Sequence, residues 1–304
     1  MSMIFSIILL LVSIFVAWAG GNFFIRGVGA FQKMFRLSGI TAGLLIASIS
    51  TSSPELFVGV SSAIRGLPEI SLGDILGSNI ANIGLILGIF LIFVSSAFTA
   101  KSIRTKDILI TAGAPILVLI LGADGILSKL DGVIMILIFA LWVRWLIKEQ
   151  HSEDEEKAKD GNFLNFVIGL GMLVVAGYTF TESAETLASA FGINLFLLSS
   201  LIVALGTSIP ELATAIIAIR TKQNSVAIGN LLGSNVFNSL GILGLVALIQ
   251  PISILPSILI IPVAFAVLAT MSVFLLNRFS HRTVGIFLIA IYLIYITIDA
   301  FLWK

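Results

Sequence analysis

Long apolar stretches alternate with short polar connections along all 304 residues of the chain. Each stretch is long enough to cross a hydrocarbon core of about 30 Å as an α-helix. Cutting the pattern at its charged or Gly/Pro-rich breaks predicts ten spans, at approximately 3–29, 39–64, 70–97, 106–122, 126–147, 162–188, 194–219, 226–249, 254–276 and 282–302. We therefore expect an all-α membrane protein with ten transmembrane helices.

One strongly hydrophilic segment, His151 to Asp160, divides this pattern into two halves of five spans. We expect a first five-helix repeat over residues 1–150, a linker over 151–161 and a second five-helix repeat over 162–304. Most Lys and Arg residues of the short connections fall on the side of the linker, and such residues are retained in the cytoplasm. The prediction is a multi-pass protein of the cell membrane with a cytoplasmic linker and both termini outside.

Two short blocks of the first half recur in the second half. Thr51–Leu56 (TSSPEL) returns as Thr207–Leu212 (TSIPEL), and Leu76–Asn82 (LGSNIAN) returns as Leu232–Asn238 (LGSNVFN), both at an offset of 156 residues. Because each half has an odd number of spans, the second copy must enter the membrane from the opposite side. Inverted repeats of this kind place a substrate site near the bilayer midplane, where the halves meet.

The composition narrows the range of functions. Hydrophobic residues make up 58% of the chain and charged residues only 11%, against roughly a quarter in an ordinary soluble domain. A net charge of +1 offers no basic face for nucleic acid. The chain has no cysteine, and its two histidines, His151 and His281, lie in polar connections. With no general-base constellation besides two glutamates, we expect no enzyme and no cofactor.

Those glutamates, Glu55 and Glu211, lie inside apolar spans that contain no Lys or Arg. A charged side chain at that depth costs several kcal/mol or more unless it is paired or hydrated. Their counter-charge should then be a bound cation or a proton, and two carboxylates can neutralise one divalent ion. The alternative is a pair of protonated, hydrogen-bonded structural carboxyls.

Helical spacing groups further oxygen donors with the glutamates, because residues three, four and seven apart share a face. Such donors suit Na⁺ or Ca²⁺ and are wrong for zinc or copper. On spans 2 and 7 the faces consist of Ser48, Thr51, Ser52 and Glu55, and of Ala204, Thr207, Ser208 and Glu211; spans 3 and 8 add the pairs Ser78 with Asn82 and Ser234 with Asn238.

A proline stands directly before each glutamate, at Pro54 and Pro210. Inside a helix, proline deprives the carbonyl four residues earlier of its hydrogen-bond donor. We expect the carbonyls of Ser50 and Gly206 to face an ion cavity, since backbone at membrane depth must be satisfied. A plain structural kink is the alternative.

Asp74 is a further acid in span 3, and the matching position of the repeat holds Asn230. The symmetry of the repeat therefore does not require a charge at the position of Asp74. Asp74 either lies on an access path or is merely interfacial.

The paired Thr-Ser-x-Pro-Glu and Gly-Ser-Asn-x-x-Asn blocks resemble the alpha-1 and alpha-2 motifs of the calcium/cation antiporter superfamily, and most of all its sodium/calcium exchanger branch. The resemblance covers essentially the whole chain. It implies a diamond of four cation sites at the face and pair positions given above, with Glu55 and Glu211 bridging the calcium site and serving the flanking sodium sites. It also implies that spans 1 and 6 slide across a rigid core. Ser48 departs from the family, which often has alanine there with its carbonyl as the ligand.

The function implied is secondary active antiport of Na⁺ for Ca²⁺ by alternating access, with both ions as substrates and the lipid bilayer as surroundings. About three Na⁺ per Ca²⁺ would move one net charge, worth about 2.3 kcal/mol per 100 mV. We expect the protein to function as a monomer.

Two alternatives stay open at this stage. Buried glutamates can also exchange Ca²⁺ or another divalent cation for H⁺. A cation channel would need a continuous pore, and its fingerprint is not a pair of inverted motifs.

Overall fold

The computed structural model describes residues 3–93, 104–148, 160–190, 203–254 and 256–302. Residues 151–159 of the predicted linker and the first part of predicted span 7 lie outside the described residues. The helices are α1 (Met3–Phe35), α2 (Gly39–Thr51), α3 (Ser53–Ile64), α4 (Pro68–Phe93), α5 (Thr105–Leu121), α6 (Lys129–Lys148), α7 (Phe163–Ala190), α8 (Ala204–Thr207), α9 (Ile209–Thr221), α10 (Asn224–Ile249), α11 (Pro256–Ser272) and α12 (His281–Leu302).

Within the described ranges, seven helices are long and apolar enough to cross a membrane. The number rises to eight if α2 and α3 form one bent span. Helix α7 adds a further apolar helical stretch, Phe163–Thr179, within the described residues. The fold is thus nearly all-helical and suited to a membrane, whereas the count of ten spans stays a prediction.

Helices α4 and α10 form the centre of the molecule. In each, 83% of the most apolar window is buried, against 22% for α6. Both central helices contain a π-helical stretch, Ala81–Leu87 in α4 and Phe237–Ile242 in α10. Single-turn π-helical stretches are often found at functional sites. The Gly-Ser-Asn blocks therefore lie at the core, and helices such as α6 face the surroundings.

Helix α2 crosses α10 in direct backbone contact. A Cβ atom on Gly43 would lie 2.3 Å from the carbonyl oxygen of Val226, and one on Gly229 would lie 2.3 Å from that of Ile40. Small residues permit this approach between membrane helices. The crossing brings α2, from the first half, against α10, the central helix of the second half.

Helices α1 and α7, which correspond to predicted spans 1 and 6, pack against each other in the same way. A Cβ atom on Gly27 would lie 2.3 Å from the Cα of Phe166, and one on Gly169 would lie 2.3 Å from the backbone nitrogen of Phe24. The rings of Phe31 and Phe166 meet edge to face, with centroids 4.9 Å apart. These two helices form one unit beside the core.

A short antiparallel ribbon joins two connections of different halves. Strand β1 (Ile126–Leu127) precedes α6, strand β2 (Ile252–Ser253) precedes α11, and Ile126 pairs with Ser253. The turn before β1 has Gly125 at φ 96°, a conformation that residues with a Cβ rarely adopt. The ribbon ties the two halves together at one end of the helices.

Candidate cation site

Both proline-containing motifs break their helix at the same point. The axes of α2 and α3 differ by 44°, and the break falls at Ser52. Ser208 separates α8 from α9 with nearly the same backbone angles, φ −80° and ψ 5° against −79° and 17°. Proline suits the first turn of a new helix, because its missing N–H would have no partner there anyway. Each glutamate thereby falls in a first turn, where the helix dipole favours a negative charge.

The carbonyl of Ser50 is not left without a hydrogen-bond donor. Ser53 Oγ donates a hydrogen bond to it at 2.8 Å and so replaces the donor that Pro54 removes. The prediction of a free carbonyl is therefore wrong for Ser50. The matching position of the second half is Ile209, which has no hydroxyl to offer Gly206.

All the predicted ligand positions are buried. None is more than 1% exposed. They are Ser48, Thr51, Ser52, Glu55, Ser78 and Asn82 from the first half and Ala204, Thr207, Ser208, Glu211, Ser234 and Asn238 from the second. Ser48 donates its hydroxyl proton to the carbonyl of Leu44 in its own helix.

Several of these residues meet across the two halves. Ser52 Oγ donates across the halves to Glu211 Oε1 at 3.1 Å. Ser234 Oγ, from the same half as Glu211, donates to the same oxygen at 3.2 Å. Ser78 Oγ lies 3.2 Å from Thr207 Oγ1 and donates to the Ala204 carbonyl at 3.3 Å. The broken helix of the second half thus contacts both the broken helix and the central helix of the first half.

A second pair of asparagines, which the sequence reasoning did not single out, orients the predicted amide ligands. Asn82 Nδ2 donates to Asn235 Oδ1 at 3.1 Å, and Asn238 Nδ2 donates to Asn79 Oδ1 at 3.3 Å. Asn235 Nδ2 in turn donates to the Asn79 carbonyl at 2.8 Å. The signal was present, since Asn79 and Asn235 are the first asparagines of the repeated Gly-Ser-Asn-x-x-Asn block.

Several oxygens of the site have no hydrogen-bond partner. A buried acceptor without a partner costs about 1–3 kcal/mol, and more when it is charged. A bound cation would satisfy a group of such oxygens together. The unpartnered atoms are Glu55 Oε1 and Oε2, Asp74 Oδ2, Asn82 Oδ1, Ser208 Oγ, Glu211 Oε2 and Asn238 Oδ1.

Oxygen is the only ligand type that these residues offer. Among the described residues, no group of three or more His, Cys, Asp or Glu side chains is placed to hold a metal ion. The salt bridge between Lys33 and Asp160 lies at the surface. Within the described residues, neither Glu55 nor Glu211 forms a salt bridge with a basic side chain. Carboxylate, amide and hydroxyl oxygens without nitrogen or sulfur fit Na⁺ or Ca²⁺.

Asp74 is fully buried beside this group, so the interfacial interpretation of this residue is wrong. Its Oδ1 accepts a hydrogen bond from Thr207 Oγ1 at 3.0 Å. In the second half, Asn230 Oδ1 accepts the corresponding bond from Thr51 Oγ1 at 2.9 Å. Sequence alone placed Asp74 in a span and left its partner unknown.

A cavity of about 740 Å³ opens between α3 and α7 and reaches the site. Its lining includes exposed Phe57 and Tyr178 as well as buried Pro54 and Thr207. The matching threonine, Thr51, is not part of this lining. This cavity therefore gives access to the Thr207 end of the oxygen group.

A profile of the sodium/calcium exchanger protein family matches residues 5–148 and 161–301. The chain belongs to this family. The resemblance predicted from the repeated blocks is confirmed, and the exchanger is an ion transporter of the membrane. A transporter family agrees with the expectation that the chain is not an enzyme.

Individual relatives resemble this exchanger along nearly all of its length. An uncharacterized membrane protein of Methanocaldococcus jannaschii is 30% identical over 294 residues, which cover 93% of this chain and 94% of the relative. The sodium/calcium exchanger MaX1 of Methanosarcina acetivorans is 25% identical over 345 residues, covering 96% and 97%. The sodium-calcium exchanger NCX_Mj soaked with 100 mM Na⁺ and 10 mM Sr²⁺ superposes with a TM-score of 0.81 at 27% identity, covering 97% of this chain and 99% of that one.

Proposed function

We propose that this chain is a secondary active antiporter that exchanges Na⁺ for Ca²⁺ across the membrane. The observation that carries the proposal is the group of buried, unpartnered acceptor oxygens between the two halves, with Glu55 and Glu211 as its carboxylates. Two carboxylates and two amides neutralise one Ca²⁺ and supply oxygens that the ion favours. The names of MaX1 and NCX_Mj, both sodium/calcium exchangers, support the same ion pair.

The twelve predicted residues are our proposed ligands, in a chain of ten spans arranged as two inverted repeats of five. The shared break at Ser52 and Ser208, and the shared π-helical stretches of α4 and α10, support a repeat of two equivalent halves. Transporters built in this way bind substrate at the interface of the repeats. The unit of α1 and α7 would move relative to the core to expose the site to each side in turn.

The proposed orientation in the membrane indicates the side to which the cavity opens. Arg65, at the surface end of the cavity lining, lies on the side with few basic residues, which is the outer side by the positive-inside rule. The described conformation would then be open towards the outside at Thr207. Both termini would share that side, with the linker in the cytoplasm.

The exchange should be electrogenic at about three Na⁺ per Ca²⁺, because one net charge then moves per cycle. A K⁺ diffusion potential set with valinomycin should change the rate of Ca²⁺ uptake in a direction that depends on its sign. A rate independent of the potential would point to an electroneutral ratio.

The proposed function is tested by uptake of ⁴⁵Ca²⁺ into proteoliposomes loaded with Na⁺, with a parallel sample in which a pH gradient replaces the Na⁺ gradient. Glu55→Gln and Glu211→Gln remove one carboxylate each, and Glu69→Gln, at an exposed position where α4 begins, is the matched control. We expect Na⁺-driven uptake that both site variants abolish and the control retains.

Uptake driven by the pH gradient alone would replace this proposal with H⁺/Ca²⁺ exchange. Normal transport by both site variants would show that the site lies elsewhere.

A further inference from the structure

The two halves of the site differ at one pair of matching positions. Thr207 donates its hydroxyl proton to a carboxylate oxygen of Asp74 at 3.0 Å, whereas Thr51 donates to an amide oxygen of Asn230 at 2.9 Å. Asp74 and Asn230 are both fully buried. The two hydrogen bonds have nearly the same length, and their acceptors differ in charge.

The atoms left over at these positions are of opposite kind. Asp74 Oδ2 is a buried acceptor without a donor, and Asn230 Nδ2 is a buried donor without an acceptor. A cation is attracted to the free carboxylate oxygen and repelled by the free amide N–H group. The Thr207 end therefore favours an additional positive charge, and the Thr51 end does not.

Asp74 also interacts with the other two acids. All three acids are fully buried, and negative charges repel one another more strongly in such surroundings than in water. The three acids are not grouped around one point in the manner of a single metal site. Asp74 thus adds negative charge to the surroundings of the site without belonging to the central pair of carboxylates.

The number of buried charges indicates which ion-loaded state Asp74 favours. Two buried carboxylates balance one Ca²⁺, and three carboxylates balance three Na⁺. An uncompensated charge at membrane depth is costly, so a third carboxylate lowers the free energy of the Na⁺-loaded state relative to the Ca²⁺-loaded state. The cavity that ends at Thr207 places this acid where ions enter in the described conformation.

Resting on the proposed Na⁺/Ca²⁺ exchange, we propose that Asp74 is a specificity-determining residue that strengthens Na⁺ binding at the Thr207 end and makes the two ends of the site unequal. Asp74 acts through its charge and through Thr207, whose proton it holds so that the lone pairs of the hydroxyl face the ion. Asn230 holds Thr51 in the same way but adds no charge.

The test uses the full-length protein in proteoliposomes and measures ⁴⁵Ca²⁺/⁴⁰Ca²⁺ exchange with increasing Na⁺. Ca²⁺ is held at the half-saturating concentration of each variant, so that changes in Ca²⁺ affinity do not enter. Asp74→Asn should raise the Na⁺ concentration for half-inhibition by roughly fivefold or more, since a buried charge a few ångströms from a monovalent ion is lost. Asn230→Asp, the matched change in the other half, should lower it.

The double variant Asp74→Asn with Asn230→Asp restores the total charge and should return the half-inhibiting Na⁺ concentration to within about twofold of the wild type. The melting temperature of the detergent-purified proteins, with NaCl compared against choline chloride, gives a readout independent of transport. Stabilisation by Na⁺ should decrease in Asp74→Asn and recover in the double variant.

An unchanged half-inhibiting Na⁺ concentration in Asp74→Asn would overturn the inference. If that variant does not fold, the absence of any decrease in Asn230→Asp would overturn it instead. A wild-type protein whose Ca²⁺ exchange is insensitive to Na⁺ would refute the proposed function itself, before any variant is compared.

Discussion

Replacing Asn235 with alanine should weaken Ca²⁺ binding although, as we propose, Asn235 does not touch the ion. The change removes the acceptor of Asn82 Nδ2 at 3.1 Å and the donor to the Asn79 carbonyl at 2.8 Å. The amide of Asn82 is then free to turn its N–H₂ group towards the cation. In the wild type, Asn82 Oδ1 is a proposed ligand without a hydrogen-bond partner. In the variant, this oxygen would no longer be held towards the ion.

The size of the effect follows from these two bonds. Each net hydrogen bond contributes about 0.5–1.5 kcal/mol, and a buried amide N–H left without an acceptor costs about 1–3 kcal/mol. Part of this loss lowers the free energy of unfolding, and part makes the free energy of Ca²⁺ binding less favourable. If about 1.4 kcal/mol falls on binding, the Ca²⁺ concentration for half-maximal transport rises roughly tenfold.

The assay is the initial rate of Na⁺-driven ⁴⁵Ca²⁺ uptake as a function of Ca²⁺ concentration, with equal amounts of monodisperse protein reconstituted. Ser239→Ala is the matched control, because it removes only the acceptor of Asn79 Nδ2 at 2.8 Å and leaves both amide pairs in place. We expect less than about a threefold change in that control. A folded Asn235→Ala protein with a half-saturating concentration within twofold of the wild type would refute the positioning role.

Three further predictions follow from single contacts. Ser52→Ala removes one of the hydroxyls that donate to Glu211, at 3.1 Å, and should raise the half-saturating Ca²⁺ concentration by roughly three- to tenfold; an unchanged value in the uptake assay would contradict this role. Gly229→Ala would place a methyl group 2.3 Å from the carbonyl oxygen of Ile40 and should lower the melting temperature in detergent, whereas an unchanged melting temperature would show that α2 and α10 can separate freely. Lys33→Ala breaks only an exposed ion pair and should change stability by about 1 kcal/mol at most, so a large loss in chemical denaturation would be against expectation.

Much of the site was predictable from the sequence, because its signals are local and occur twice. The breaks lie beside Pro54 and Pro210, where the proline stands in the first turn of the new helix. Proline alone does not decide a break, because Pro115 and Pro262 lie inside α5 and α11. The burial of Glu55 and Glu211 follows from the apolar residues around them. The predicted resemblance to the exchanger family rested on the same two blocks.

The tertiary structure decided what depends on distant partners. Hydropathy indicates the average surroundings of a helix. It does not indicate which polar side chains contact each other across the core. Asn235 orients Asn82 only because the central helices bring together residues 153 positions apart. Ser53 supplies the donor that Pro54 removes, which a rule about proline alone could not foresee.

Asp74 illustrates the division between the two sources of information. The sequence by itself determined that an acid stands in an apolar span where the other half has an amide. Only the tertiary structure decided that this acid is fully buried against Thr207 of the other half. The physical reason is that the cost of a buried charge depends on its nearest polar neighbours, and these are set by helix packing and not by position along the chain.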